Sequence, residues 1–155
     1  MKIEIWVPVV LGVLVLVVGG AFLVSRGQVC RDFQQGVVSV GDIHLTVNIA
    51  STAAEQQLGL AGCSSIPDQA GMYFPYQRPT ETGFWMKGML IPIDIVWIAD
   101  GRVVAVDAHI PPPTDHKTEL LTVYRPPHPV TAVLEVSAGR AVEYGIKVGS
   151  VVTVQ

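Results

Sequence analysis

Residues 71–94 have the sequence GMYFPYQRPTETGFWMKGMLIPID, and this stretch decides the fold. It contains three of the four methionines and one of the three tryptophans of the chain, but only four charged side chains. Its apolar clusters are separated by proline and glycine, which exclude a long helix. The stretch therefore predicts short strands that turn sharply and bury large side chains.

Short strands are also expected on both sides of this stretch. Residues 42–50 alternate between polar and apolar side chains, so one face of a strand would lie on a core. Residues 93–99 and 102–110 flank Asp100-Gly101, which predicts a hairpin because glycine readily takes a positive φ. Further strands are predicted at the remaining apolar runs, 37–40, 71–74, 82–86, 130–136 and 148–154.

Two short helices complete the predicted domain. The first covers residues 52–60, because Thr52 and Glu55 have the spacing of a capping box, and Gly62 is its expected stop. The second covers 138–144. We therefore predict an α+β domain of mostly β character over residues 36–155, with a small barrel-like curved sheet. A proline-rich loop is expected at 111–129, long enough to suggest a role in function or a mobile segment.

The N-terminal region predicts a membrane anchor. Residues 5–24 contain no charge, and 20 helical residues cross a hydrocarbon core of about 30 Å. We expect an anchor over 1–26, with the transmembrane helix at about 5–24, followed by a linker over 27–35. A cleaved signal peptide is the alternative, but its apolar segment is usually shorter, about 7–15 residues. A short N-terminal tail favours a single-pass protein of the cytoplasmic membrane, with an extracytoplasmic domain.

Charge and cysteine content limit the partners and the compartment. The net charge of −3 without a basic run argues against a nucleic-acid partner. Cys30 and Cys63 could form a disulfide outside the cytoplasm. Two separate free thiols are the alternative, because the sequence does not show whether the Cα atoms lie within about 7 Å of each other.

Six segments in order resemble the domain-of-unknown-function 192 family, small uncharacterised prokaryotic proteins often preceded by a membrane anchor or signal. They are LGLAG (58–62), IPDQAGMYFPY (66–76), FWMKGMLIPIDIVWI (84–98), DGRVV (100–104), VLEVSAG (133–139) and YGIKVGSVV (144–152). The resemblance implies a compact barrel-like domain and no established activity. The family's arginine-rich block, roughly R-x-R-G-L-M-x-R, is replaced here by Gln56, Leu58, Ala61 and Cys63, so an anion site on those arginines is not expected.

Trp85 and Lys87 are the first candidates for ligand contact. On a strand they would share one face, with Met86 on the other. An aromatic surface beside a cation suits a carboxylate or a planar group. The alternative is structural, with Trp85 covering the core and Lys87 extending to water.

Three further titratable residues are candidates for the site. Asp94 could accept bonds from backbone N–H groups, pair with Lys87, or act as a base. Glu135 lies between valines and leucine, so an internal position would require a hydrogen bond or a raised pKa. His109 is the remaining candidate. The methionines suit Cu(I), but methionine also fills irregular cores and no histidine pair has ligand spacing, so we predict no metal and no cofactor.

Two functional hypotheses follow. The first is a non-catalytic binding or interaction module for an unknown small molecule or envelope protein, with Trp85, Lys87, Asp94, His109 and Glu135 as tentative ligand contacts. The alternative is an envelope-directed hydrolase of unfamiliar type that uses Asp94, Glu135, Lys87 or His109. The first is favoured, because the sequence contains no nucleophile–base pair and no common catalytic motif.

Overall fold

The computed structural model describes residues 30–114 and 122–155, which form nine strands and two short helices. In chain order these are β1 (Gln34–Val40), β2 (Ile43–Ile49), α1 (Ala53–Leu58), β3 (Ala70–Thr80), β4 (Phe84–Trp85), β5 (Ile93–Ala99), β6 (Arg102–Ile110), β7 (Val123–Tyr124), β8 (Val130–Ser137), α2 (Arg140–Glu143) and β9 (Val152–Val154).

Seven strands form one sheet, in the order β6-β5-β8-β3-β2-β1-β9. β2 and β3 run parallel, and the other neighbouring pairs in this sheet run antiparallel. β4 and β7 pair separately as a small two-stranded sheet. The parallel pair is connected through α1, as expected for a crossover between parallel strands.

The large sheet is curled into a half-barrel. Its two edge strands approach each other through a single bridge between Arg102 and Val151, and the N–H of Val103 donates to the carbonyl of Ser150 at 2.9 Å. One core cluster contains residues of both edge strands, Val103 of β6 and Val152 of β9, so the sheet closes around it. The predicted mostly β domain, with a curved sheet and two short helices, is confirmed.

A second core cluster lies on the other face of the sheet. We call this the helix face, after α1. It contains Met72 and Phe74 of β3, Trp97 of β5 and Leu60, which follows α1. The alternation of strand side chains explains the division, because Leu134 and Val136 of β8 belong to the first cluster whereas Val133 belongs to the second. Both faces of the central strands are therefore buried.

Several boundaries differ from the predictions. α1 has the predicted capping box, but it ends at Gly59 (φ 47°) rather than at Gly62. β3 continues through Pro75 and Pro79, because its pairing with β8 is interrupted between Pro75 and Thr80. The strand predicted over 82–86 is reduced to the two residues of β4. Its partner β7 lies in the stretch predicted as a loop, 111–129.

The predicted transmembrane helix lies outside the described residues. Within residues 30–114 and 122–155, no helix is long and apolar enough to cross a membrane. β1 begins at Gln34, so the last two residues of the predicted linker belong to a strand.

The segment just before β1 is fastened to the turn that follows α1. Cys30 and Cys63 form a disulfide, with their Cα atoms 5.7 Å apart. Arg31 donates from Nε to the carbonyl of Gly59 at 3.1 Å, and from Nη2 to the carbonyl of Ala61. A covalent bond and two side-chain hydrogen bonds therefore hold the start of the domain on this turn.

Candidate functional site

A cavity of about 330 Å³ opens on the helix face of the sheet. One wall is the end of α1 and the turn after it, residues 56–61. The opposite wall is the segment 82–89, which includes β4. The N–H of Gly62 donates to the carbonyl of Gly88 at 2.7 Å, so the two walls are joined at one end. A volume of this size is at the lower end of the range for small-molecule sites.

Glu135 contributes the carboxyl group of the cavity. It lies in the middle of β8, opposite Met72 of β3 and Ile95 of β5, and its exposed fraction is only 6%. Among the described residues, no hydrogen bond or ion pair reaches its carboxyl group. Burial raises the pKa of Glu135 to about 8, so this side chain is mostly protonated at neutral pH.

Four aromatic residues line the same cavity: Phe74, Tyr76, Phe84 and Trp85. Phe84 packs edge-on against Phe74, with ring centroids 5.0 Å apart. The Tyr76 hydroxyl lies 3.3 Å from the hydroxyl of Thr82, to which it donates. Burial raises the pKa of Tyr76, and the negative charge of Glu135 adds to the increase. The charge of Glu135 therefore acts on the phenol across the cavity.

Trp85 and Lys87 lie at the opening of the cavity. Trp85 is 47% exposed, which is unusual for so large an apolar side chain, and Lys87 is also exposed. Both residues line the cavity, whereas Met86 between them is buried in the core. The two residues singled out from the sequence thus line the cavity with exposed side chains.

Asp94 lies on the opposite face of the sheet. Its neighbour across the ladder is Val136, whereas Glu135 pairs with Ile95. Three backbone N–H groups donate to its carboxylate: His109 to Oδ1 at 2.8 Å, Gly139 to Oδ1 at 3.1 Å and Ala141 to Oδ2 at 2.9 Å. Asp94 is fully buried and does not line the cavity. The carboxylate of Asp94 therefore links the backbone at the end of β6 to the backbone at the start of α2.

His109 also lies away from the cavity. It has a positive φ of 55°, its side chain is exposed, and its backbone N–H donates to Asp94. Of the five residues proposed from the sequence, three therefore line the cavity and two meet on the other face.

The methionines serve packing. Met72, Met86 and Met89 all belong to the core cluster of the helix face, with exposed fractions of 5% or less. Within residues 30–114 and 122–155, no group of three His, Cys, Asp or Glu side chains could hold a metal ion.

Sequence reasoning missed the rings of Phe74, Tyr76 and Phe84 as parts of the site. They lie within the segments that resemble the family, but aromatic residues in strands ordinarily indicate packing. It also missed the wall at 56–61, because the sequence of a helix end does not indicate which strand the helix will pack against.

The fold occurs in solved structures. A crystal structure of a protein of unknown function from Novosphingobium aromaticivorans DSM 12444 is 32% identical, covers 78% of this chain and 86% of its own, and has a TM-score of 0.69. A protein from Sinorhizobium meliloti 1021, described as a candidate transcription regulator, is 24% identical, covers 78% of this chain and 94% of its own, and has a TM-score of 0.68. The second likeness shows the fold alone.

The comparison with curated protein sequences gives no match. The sequence profile of the DUF192 family, described as uncharacterized ACR, matches residues 36–154. This range contains all nine cavity residues from β3 to β8 and the whole of α1. Since the match covers well over half of the chain, the protein belongs to the DUF192 family, whose function is not known.

Proposed function

We propose that the chain is a non-catalytic binding module that takes a small ligand in the cavity of the helix face. The observation behind this proposal is Glu135, a residue only 6% exposed that lines the cavity and whose carboxyl group has no hydrogen-bond partner among the described residues. Burying an unpaired polar group destabilises a protein, so such groups usually have a partner or a role. A bound ligand would supply the missing partner.

The hydrolase alternative receives less support from the same geometry. Catalysis by acid–base chemistry needs two or more titratable groups that converge on one reacting atom. Of the four residues named for that role, only Glu135 and Lys87 line the cavity, and Lys87 is exposed at its opening. Asp94 accepts three backbone hydrogen bonds on the other face and is unavailable as a base.

The membrane location is part of the proposal. The uncharged run at 5–24 favours a single span in the cytoplasmic membrane, with the domain outside the cytoplasm. The Cys30–Cys63 disulfide supports that side of the membrane, because disulfides persist in oxidising compartments and are rare in the cytoplasm.

Thiol chemistry tests the location. Protein collected from cells in the presence of an alkylating reagent is expected to carry no free thiol. Reduction is then expected to lower the free energy of unfolding by about 4 kcal/mol, because the bond closes a loop of 33 residues. Urea denaturation with and without reductant measures the change, and the double variant Cys30→Ser, Cys63→Ser should not respond to reductant. Thiols that are alkylated in the cell before any reduction would contradict the extracytoplasmic location.

Trp85 tests the binding function. A fragment library is screened against the full-length chain in non-ionic detergent by ligand-observed NMR. Fragments that bind are expected to lose about tenfold in affinity with Trp85→Ala, because the indole covers the opening of the cavity. Leu90→Ala is the control, since Leu90 is 54% exposed on the same segment but does not line the cavity. Equal affinities for the two variants would remove the cavity from consideration as the binding site.

A further inference from the structure

We propose that the ligand of the cavity is a small organic cation, with an alkylated ammonium head group held among four aromatic rings and against the carboxylate of Glu135. This inference rests on the proposed binding function and assigns its ligand class. The reasons are the four aromatic rings, the carboxyl group of Glu135, and the position of Lys87, the basic side chain among the described residues that line the cavity.

The rings provide the first reason. Phe74 and Tyr76 come from β3, Phe84 and Trp85 come from the wall at 82–89, and all four line the same space. The face of an aromatic ring is negative, so a cation within about 6 Å of the ring centre is attracted by roughly 0.5–2 kcal/mol for each ring. Several rings around one cavity are the arrangement in which proteins recognise quaternary ammonium groups.

The carboxyl group provides the second reason. Glu135 is the acidic residue among those that line the cavity, and no described basic side chain pairs with it. An ammonium group that enters the cavity would pair with the ionised form of Glu135 in a site removed from water, where attraction between charges is stronger than in bulk solvent. The ligand cation would thereby supply a counter-charge that the residues described by the structure do not provide.

An anionic ligand fits the cavity less well. The face of an aromatic ring repels a negative charge, and above pH 8 the ionised Glu135 would repel it as well. Lys87 is the basic side chain that lines the cavity, but it is exposed at the opening, where water weakens its attraction. Above pH 8, the interior of the cavity therefore favours a positive charge over a negative one.

The inference predicts the direction of the pH dependence. The groups that face Glu135 in the cavity are the Tyr76 phenol from β3 and the Lys87 ammonium, while α1 contributes the uncharged side chains of Gln56 and Gln57. With a pKa of about 8 for Glu135, the ionised form becomes scarcer by tenfold for each pH unit below 8. A cation that binds the ionised form should bind about tenfold more tightly for each unit from pH 6 to 8, and equally well above 8.

Choline and its uncharged carbon isostere, 3,3-dimethyl-1-butanol, form a matched pair of probes. Neither changes its charge between pH 6 and 9. Titration calorimetry at pH 9 uses the full-length chain in non-ionic detergent. Choline is expected to bind at least tenfold more tightly than 3,3-dimethyl-1-butanol. Equal affinities for the two probes, or choline affinity that falls as the pH rises, would overturn the assignment of a cation. Trp85-dependent fragment binding would still support the proposed function in that case.

Two variants identify the group responsible. Glu135→Gln keeps the shape of the side chain and removes its charge, so it should weaken choline binding by at least tenfold at pH 9 and abolish the pH dependence. Lys87→Gln removes a like charge from the opening and should leave choline affinity unchanged or raise it slightly. If Glu135→Gln retains the pH-dependent binding of choline, the inference is wrong. If Lys87→Gln abolishes choline binding, the affinity does not come from pairing with Glu135, and the inference is likewise wrong.

Discussion

Replacing Glu135 by Gln is expected to stabilise the protein at pH 9 by about 5 kcal/mol, with almost no effect at pH 4. The carboxyl group is buried without a partner among the described residues, and burial raises its pKa to about 8, against 4.5 in the absence of burial. Each unit of difference between the folded and unfolded pKa corresponds to about 1.4 kcal/mol. The full free-energy difference applies only above pH 8, where Glu135 is ionised in both the unfolded and the folded chain.

The sign follows from the protons bound in each state. Between pH 4.5 and 8 the folded state holds a proton that the unfolded state has released, so the stability of the wild type falls as the pH rises through this window. Glutamine does not titrate and removes this loss. Urea denaturation at pH 4 and pH 9, followed by tryptophan fluorescence, measures the effect.

Glu81→Gln is the matched control, because Glu81 is exposed and should leave stability unchanged at both pH values. A Glu135→Gln variant with the same stability difference at both pH values would show that the carboxyl group has another partner. The combination of higher stability and weaker cation binding in one variant would identify Glu135 as a residue kept for function at a cost in stability.

Replacing Asp94 by Ala is expected to lower the free energy of unfolding by about 4 kcal/mol. Its carboxylate accepts hydrogen bonds from the backbone of His109, Gly139 and Ala141, and the side chain is fully buried. Removing the acceptor leaves three donors without their partner, and each such loss costs about 1–3 kcal/mol where water does not replace it. The connection between β6 and α2 would weaken as a result.

Asp94→Asn separates the hydrogen bonds from the packing. The amide keeps one accepting oxygen, so Asp94→Asn should be less stable than the wild type but more stable than Asp94→Ala. Asp42→Asn, at an exposed position in the turn between β1 and β2, is the matched control and should have little effect. All three variants should be compared by urea denaturation at pH 7. If Asp94→Ala is as stable as the wild type, Asp94 does not link β6 to α2 as described. Choline binding at pH 9 should persist in any Asp94 variant that folds.

Local signals account for the parts of the fold that the sequence predicted well. The strands at 93–99 and 102–110 have the predicted boundaries, because the turn between them places Asp100 (φ 49°) and Gly101 (φ 71°) in the conformation of a tight hairpin. The capping box at Thr52 fixed the start of α1 for the same local reason. The order of strands in the sheet has no such signal, since it depends on contacts between distant segments.

The candidate site was only partly predictable. Trp85 and Lys87 attracted attention because they lie two positions apart, which places an aromatic ring and a cation on one face of a predicted strand. The position of Glu135 stayed undecided, because both faces of β8 are buried and alternation then gives no contrast between inside and outside. The wall at 56–61 is about 75 positions away in sequence from Glu135, so only the folded chain brings the two together.

The attachment of Cys30 to Cys63 sets a maximum distance between the cavity and the membrane. In the proposed membrane-held protein the span ends near residue 24, and six residues reach at most about 20 Å, however they are arranged. The disulfide adds little to that length, and Ala61 of the cavity wall lies two positions before Cys63. The domain would therefore sample its ligand from the layer of solution next to the lipid head groups, and not from the bulk of the compartment.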